Sequence, residues 1–395
     1  MTRRHRRRSW PWVLLFGGIL LLAVFYVGGG WFFSGQVHDD ALASDPYDPS
    51  RLQEGAVAAL AVDDGGGATV TLTPDAQWAG DTSYDDSTVG ITVGETLLVV
   101  GPEGADGQRR VLDLQGELPD AGDRYGLARD VWLSAEQAGL SANDVTLRTL
   151  DGQPFPSWVI RDKGSTKWAV LVHGKNAARS EMLRLARPLH AAGYNVIIPT
   201  YTGDVGAPPS DDGMVHYGRT EWTDIEAAVQ YAVDQEATKI VLGGASHGGA
   251  VALGLLAHST LSRRIDGLIL DSPASSLRDV IDEAAESRTL PVVGLPIPES
   301  LEDVAAWITS ARYQVSFSAI DYTDMKGLVD VPLLTFQGVD DTTVPQAVND
   351  RFMREGAGQG GTYKVVPGAG HVQSWNVDPE RYEDTVTAFV DKLGD

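Results

Sequence analysis

Residues 239–258 constrain this chain more than any others. The strand-like run Lys239-Ile240-Val241-Leu242 leads into Gly243-Gly244-Ala245-Ser246-His247-Gly248-Gly249, and Ala250 to His258 then reads as a helix. A strand entering Gly-x-Ser-x-Gly and leaving as a helix is the layout of a nucleophile elbow. There a serine sits on a turn so sharp that its hydroxyl stands clear of the backbone. The turn strains the serine and brings the flanking chain so close that a Cβ at Gly244 or Gly248 is expected to clash. A glycine-rich turn without chemistry has the same local pattern, so the assignment depends on partners elsewhere in the sequence.

The N-terminus carries the second signal. Arg3, Arg4, Arg6, Arg7 and Arg8 precede an uncharged apolar stretch from Trp10 to Phe33, and Asp39, Asp40 and Asp45 follow it. At helical rise the stretch reaches about 36 Å, enough to cross a bilayer. The arginine cluster predicts a cytoplasmic N-terminus and an extracytoplasmic remainder. Ala41-Leu42-Ala43 resembles a signal-peptidase site, so a cleaved leader is the competing reading, but the apolar run exceeds a signal h-region. Five of the 31 basic residues lie in the first eight positions, so the rest of the chain is even more acidic than the total of −23. That charge argues against nucleic acid and anionic lipid headgroups as partners. With no cysteine, disulfides and thiolate metal sites are excluded.

Residues 34–50, rich in Asp, Ser and Pro, read as a stalk. From Arg51 to Gly139, strand-like runs at 68–72, 91–93, 96–100 and 111–114 are separated by turn signals such as Asp64-Gly65-Gly66-Gly67, which predicts a small β-rich module. From Ala142 the pattern changes to strands alternating with amphipathic helices, the mark of a mostly parallel sheet covered on both faces. Strands are predicted at 145–150, 158–160, 168–173, 195–199, 239–243, 266–271, 332–337 and 363–366. Helices are predicted at 180–192, 221–235, 249–258, 347–354 and 379–393. Residues 272–329 interrupt the alternation as a cap-like excursion. The domain reading is 1–36 for basic tail and anchor, 37–141 for stalk and β-rich segment, and 142–395 for the α/β domain.

A serine hydroxyl needs a base within hydrogen-bonding reach and a third group to orient that base. The best base is His371, in the glycine-rich loop Pro367-Gly368-Ala369-Gly370-His371 just past the last predicted strand. The best acid is Asp341, in the loop Gly338 to Pro345 after the preceding strand; Asp271, ending the strand before the excursion, is its rival. Both loops lie at C-terminal strand ends, where open α/β sheets gather their sites, and the order Ser, Asp, His is that of elbow-bearing folds. His173 reads as a buried residue shaping its loop, His247 as pointing away from the serine hydroxyl, His190 and His258 as surface or packing residues, and His216 as a solvated loop residue or a substrate contact. No cluster has metal-ligand spacing and no glycine-rich loop precedes a Lys-Ser/Thr pair, so no metal, nucleotide or other cofactor is expected.

Four segments together carry a resemblance: Leu171-Val172-His173-Gly174, Gly244 through Gly249, Gly338 through Pro345, and Gly370-His371. From about Asn143 onward the chain resembles the α/β-hydrolase superfamily, nearest its prolyl-oligopeptidase and dienelactone-hydrolase branches. Glu221-Trp222-Thr223-Asp224 and Trp375 through Pro379 resemble membrane-anchored actinobacterial members. The resemblance implies an α/β-hydrolase fold with a helical cap and an oxyanion hole from the backbone N–H groups of His247 and Lys175. Gln337 stands where relatives often have His, and no catalytic consequence is expected of it. The expected function is a membrane-anchored extracytoplasmic serine hydrolase acting on a small-molecule or peptide acyl substrate, an ester by default. A serine peptidase and a catalytically idle binding protein remain the alternatives, and the oligomeric state stays open.

Overall fold

The computed structural model describes residues 10–45, 52–77, 84–104, 107–286, 288–291, 294–357 and 360–394. The arginine cluster at 3–8 and part of the predicted stalk lie outside the described residues. The chain divides into two compact units, Met1–Ala43 with Ile281–Ser318, and Ser44–Val280 with Ala319–Asp395.

The first unit is built on helix α1 (Trp10–Val37), whose sequence has no acidic or basic residue in its end turns. From Trp12 to Val27 every large side chain except Tyr26 is exposed. A helix apolar all round and open to its surroundings suits lipid rather than a protein core. By length and composition it is the one described helix able to cross a membrane. The excursion contributes the second long helix of this unit, Glu299–Tyr313.

The second unit begins with a closed six-stranded antiparallel barrel. Its strands are β1 (Gln53–Val62), β2 (Ala68–Pro74), β3 (Val89–Val93), β4 (Thr96–Glu103), β5 (Gln108–Gln115) and β6 (Arg124–Ala128), in the order β1-β2-β5-β4-β3-β6. Val57, Val70, Ile91, Leu98, Val100 and Leu127 fill its interior. Closure removes the sheet edges that a module this small would otherwise expose. The strands predicted at 68–72, 91–93, 96–100 and 111–114 are β2 to β5; β1 and β6 complete the ring.

The α/β part is an eight-stranded sheet in the order β14-β13-β12-β11-β9-β10-β8-β7. It comprises the hairpin β7 (Ala142–Arg148) and β8 (Pro154–Ile160), then β9 (Lys167–Val172), β10 (Asn195–Pro199), β11 (Lys239–Ala245), β12 (Gly267–Asp271), β13 (Leu333–Gly338) and β14 (Thr362–Val366). Strands β9 to β14 pair in parallel, while β8 joins β10 and β7 antiparallel. All residues of β11 are buried, as a central parallel strand requires. Crossover helices include α2 (Leu183–Ala191), α3 (Trp222–Asp234), α4 (His247–His258) and α9 (Pro379–Lys392). Helix α4 starts at His247 rather than the expected Gly249, because Ser246 absorbs the whole change of direction (φ 51°, ψ −120°). Between Ser180 and Met182 the expected helix opens as a tight 3₁₀ turn before α2.

Register decides which loops meet. Gly244 pairs with Val172, Ala245 with Asp271, and Gly338 with Val366. The loops leaving β9, β11, β12, β13 and β14 therefore open at one edge of the sheet. The barrel is tied to this edge through the short helix α8 (Ser374–Val377). Asn376 Nδ2 donates to Thr88 O and Arg129 O, both at 2.8 Å, and Thr88 N donates back to Asn376 O at 2.7 Å. Trp375 packs edge-on against Trp132, ring centroids 5.1 Å apart. Asn376 is fully buried, so truncation strands several backbone partners in a dry place. Asn376→Ala is expected to lose about 2–4 kcal/mol, measured by chemical denaturation of the full chain against wild type.

Candidate active site

The elbow forms because β11 ends in residues small enough for the chain to fold back on itself. A Cβ at Gly244 would lie 2.4 Å from Gly248 O, and one at Gly248 would lie 2.2 Å from Val172 O. Both expected clashes are thus present. Ser246 N donates to Asp271 O at 2.9 Å, and Ala274 N donates to Ser246 O at 3.0 Å, so the end of β12 pins the strained residue on both sides. Of the eight described non-glycine residues with positive φ, four adjoin this edge: Asn176, Ser246, Ser272 and Val372. Strain gathered in loops around one point is a mark of functional sites.

The structure brings Ser246, His371 and Asp341 into one hydrogen-bonded chain. His371 Nδ1 lies 2.8 Å from Asp341 Oδ2, and His371 Nε2 lies 2.8 Å from Ser246 Oγ. A carboxylate only accepts, so Nδ1 carries the proton and Nε2 is left as the acceptor facing the serine hydroxyl. The Asp341 side chain is fully buried, and its other oxygen accepts from Thr343 N (2.9 Å) and Val344 N (2.8 Å). Ser246 is half-buried and His371 partly exposed.

His247 opens α4, so its backbone N–H lies at a helix N-terminus, where the dipole favours negative charge. Its side chain turns away from Ser246 into a buried cluster. Nε2 stands 3.6 Å from Glu221 Oε1, and the ring lies edge-on to Tyr217. Gly174 N donates to Glu181 Oε2 at 2.6 Å and is therefore committed elsewhere; Lys175 is the next residue along. A Cβ on Gly174 would come 3.2 Å from Ser246 Cβ, which shows how closely this loop passes the serine. His173 is buried, with Nε2 at 3.0 Å from Asp204 Oδ2 and Nδ1 at 2.9 Å from Gly174 O. His190 is half-buried against Tyr194 O, His258 is exposed, and His216 contacts Asp212.

Two residues matter more than their sequence suggested. Gln337 is fully buried beside the candidate acid, its Nε2 donating to Gly338 O (2.9 Å), Val344 O (3.1 Å) and Asp341 Oδ2 (3.4 Å). Its Oε1 accepts from Asn349 at 2.6 Å, so this side chain fastens the acid loop. Glu221 is the other. Burial would raise its carboxyl, but His247 and the His216 N–H outweigh burial and hold it down at about 2. The signal that pointed to Glu221 was only a family likeness, and a buried carboxylate cannot be read from one sequence.

Matches to known proteins place the chain in a family. The model of the alpha/beta hydrolase family matches residues 169–385, more than half of the chain. The chain belongs to that family. An esterase of Pyrococcus furiosus, Pf2001, has a similar structure, with a TM-score of 0.51 at 22% identity over 67% of this chain and 97% of that one. Est1E from Butyrivibrio proteoclasticus is similar at a TM-score of 0.45 and 19% identity, over 64% of this chain and 99% of its own. A thermophilic esterase from Thermogutta terrifontis is similar at 0.45 and 21%, over 64% and 100%. No curated protein matches the chain at a significant level.

Asp271, the rival acid, ends β12 buried and makes no hydrogen bond to His371; Ser374 Oγ donates to it at 3.3 Å. Burial pushes its carboxyl up to about 6, against the pull of Arg184 and His371. The folded protein therefore holds this proton through a window, from about 4 to about 6, in which the unfolded chain has lost it, so ionisation costs stability as pH rises. Asp271→Asn removes that cost and is expected to be up to about 3 kcal/mol more stable than wild type at pH 7.5. The difference should shrink through pH 6–4 and vanish below about 4, measured by denaturation at stepped pH.

Proposed function

We propose that the protein is a membrane-tethered serine hydrolase that cleaves carboxylic esters outside the cytoplasm. The observation that carries this reading is the chain Asp341–His371–Ser246, with each link at 2.8 Å on neighbouring loops of an alpha/beta hydrolase sheet. The Ser246 hydroxyl attacks the substrate carbonyl carbon as His371 Nε2 takes its proton. Asp341 keeps the imidazole in the required tautomer and stabilises the imidazolium. The oxyanion of the tetrahedral intermediate is met by the N–H groups of His247 and Lys175, the first reinforced by the α4 dipole. His371 returns the proton to the leaving alkoxide oxygen, leaving an acyl-Ser246. Water, deprotonated by the same nitrogen, then releases the acid and restores the serine.

An ester is favoured over an amide because an alkoxide leaves with less demand for protonation than an amine does. The esterase from Pyrococcus furiosus, similar in fold, supports the same choice. An idle binding protein would have no reason to keep the strained serine, the tautomer-setting acid and the intervening histidine in register.

Anchoring rests on the exposed apolar surface of α1 from Trp12 to Val27, and orientation on the arginines before it. Protease added to spheroplasts is expected to digest the hydrolase while a cytoplasmic marker survives; protection of both would reverse the orientation.

Ser246→Ala should abolish labelling by a fluorophosphonate and lower ester turnover by at least about 10⁴-fold, with circular dichroism unchanged. Asp341→Asn should approach a loss of about 10⁴-fold, because it favours the wrong tautomer. Asp271→Asn is expected to stay within about tenfold of wild type, since both ring nitrogens of His371 are bonded elsewhere, to Asp341 and Ser246. The reverse order of these two variants would move the acid to Asp271.

A further inference from the structure

The 3₁₀ turn after the β9 loop, Arg179–Met182, carries a buried acid that the proposed mechanism does not use. Glu181 Oε2 accepts the 2.6 Å bond from Gly174 N, and Oε1 faces Arg129 Nη2 at 3.9 Å. Burying a carboxylate is costly unless polar groups compensate it. In return, a charged acceptor holds a backbone N–H in a short, strong bond. That bond falls on a glycine, where the chain by itself imposes least on its own direction.

Gly174 joins two peptide planes, each of them flat and stiff. The first contains His173 O and Gly174 N–H, and the second contains Gly174 O and Lys175 N–H. Tyr201 Oη lies 3.0 Å from both carbonyl oxygens, and His173 Nδ1 lies 2.9 Å from Gly174 O. In a trans peptide the N–H points opposite to the C=O, so Glu181 grips the first plane from the side that Tyr201 does not reach. With both planes held, the φ and ψ of Gly174 are set from outside, and the Lys175 N–H is aimed away from Tyr201. We propose that Glu181 is a positioning residue of the hydrolase, which fixes the Gly174 peptide so that Lys175 N–H meets the oxyanion. The proposal rests on the reading that Ser246 attacks an acyl carbon and that Lys175 supplies the second donor.

The turn that bears Glu181 is braced from two directions. Arg129 and Asp130 leave the barrel directly after β6, and Ser180 Oγ donates to Asp130 Oδ2 at 3.1 Å. On the other side, the buried Arg184 donates through Nε to Glu181 O (3.3 Å) and through Nη1 to Val372 O (2.8 Å). Val372 follows His371 and carries a strained φ of 54°. One turn is thus fastened to the barrel exit and to the loop of the proposed base. Through it the barrel supports the oxyanion loop rather than serving only as a spacer.

Two conservative variants separate the position of the acceptor from its charge. Glu181→Gln keeps an oxygen at the same reach without the charge, whereas Glu181→Asp keeps the charge and withdraws the oxygen by about 1.5 Å. Each full-length enzyme is assayed on an ester and on its thionoester, whose C=S sulfur is a weak hydrogen-bond acceptor. The ester-to-thionoester ratio of kcat/KM reads the oxyanion donors and is independent of the active fraction, so a merely structural role leaves it unmoved. Glu181→Asp is expected to lower ester kcat by about 10²-fold or more with KM within about threefold, and to lower the ratio by at least about tenfold. Glu181→Gln is expected to keep the ratio within about threefold of wild type. A wild-type ratio in Glu181→Asp overturns the proposal, and so does a collapsed ratio in Glu181→Gln, which would assign the effect to charge. Should Glu181→Asp not fold, Glu181→Met, similar in size but without a strong acceptor, takes its place with the same expected loss. Wild-type enzyme that hydrolyses neither substrate and takes up no fluorophosphonate overturns the hydrolase reading and the proposal with it. Active, labelled wild type beside unchanged variants overturns the proposal alone.

Discussion

The strained turn at Ser246 is the constraint on which the rest of the second unit depends. A serine with φ of 51° is unfavourable by itself and persists only if its surroundings over-determine it. The surroundings do so from three sides. Strand β12 grips its N–H through Asp271 O, the chain after β12 grips its carbonyl through Ala274 N, and Val172 and His173 press against Gly248. The grips come from the end of β12 and from β9 on either side of β11, so the elbow exists only once β9, β11 and β12 are in register. Local geometry at one residue is thereby a consequence of long-range sheet pairing, and the same pairing aligns the loops that carry Asp341 and His371.

Three buried carboxylates near this edge show how environment separates residues of one chemical type. Asp341 accepts from two backbone N–H groups, Gln337 and His371. Asp271 has only long donors, from Ser374 Oγ (3.3 Å) and Ser272 Oγ (3.5 Å), so burial outweighs Arg184 and His371 and raises it to about 6. Glu221 is as buried as either, yet the adjacent His247 and the His216 N–H hold it at about 2. Only the first touches the imidazole that faces Ser246. That contact, rather than burial or position at a strand end, distinguishes the proposed acid from its rival.

Much of this was legible in the sequence, for identifiable reasons. The elbow, the loop from Gly338 to Pro345 and Gly370-His371 are short motifs whose glycines answer local steric demands, and strands with continuous apolar runs announce a covered parallel sheet. Barrel closure was not legible. Strand β1 reads Gln-Glu-Gly-Ala-Val-Ala-Ala-Leu-Ala-Val, a composition with little strand character, and it closes against β6 some seventy residues away. Such pairing rests on partner strands rather than on propensity. Gln337 likewise looked inert because its importance lies in four partners brought together only by folding. In the apolar run, Gly28-Gly29-Gly30 gave no sign that Gly30 would receive Val304 and Ile308 of a second helix, since the same composition also suits lipid.

Behind the proposed oxyanion site, one side chain links the two loops that would supply its donors. Tyr201 Oη lies 3.0 Å from both His173 O and Gly174 O, and 3.3 Å from His247 Nδ1. Carbonyls only accept, so the single phenolic proton must point toward that loop, and the hydroxyl lone pair is left to accept from His247 Nδ1–H. Burial, helped by Asp204 nearby, pushes the Tyr201 phenol well above its ordinary range, so the proton stays in place. The direction of every bond from His247 through Tyr201 to residues 173 and 174 follows from that one proton. On the proposed mechanism the donors of His247 and Lys175 must keep a fixed separation while charge develops between them. A buried relay fastened to the elbow at one end and to the β9 loop at the other holds that separation without entering the site itself.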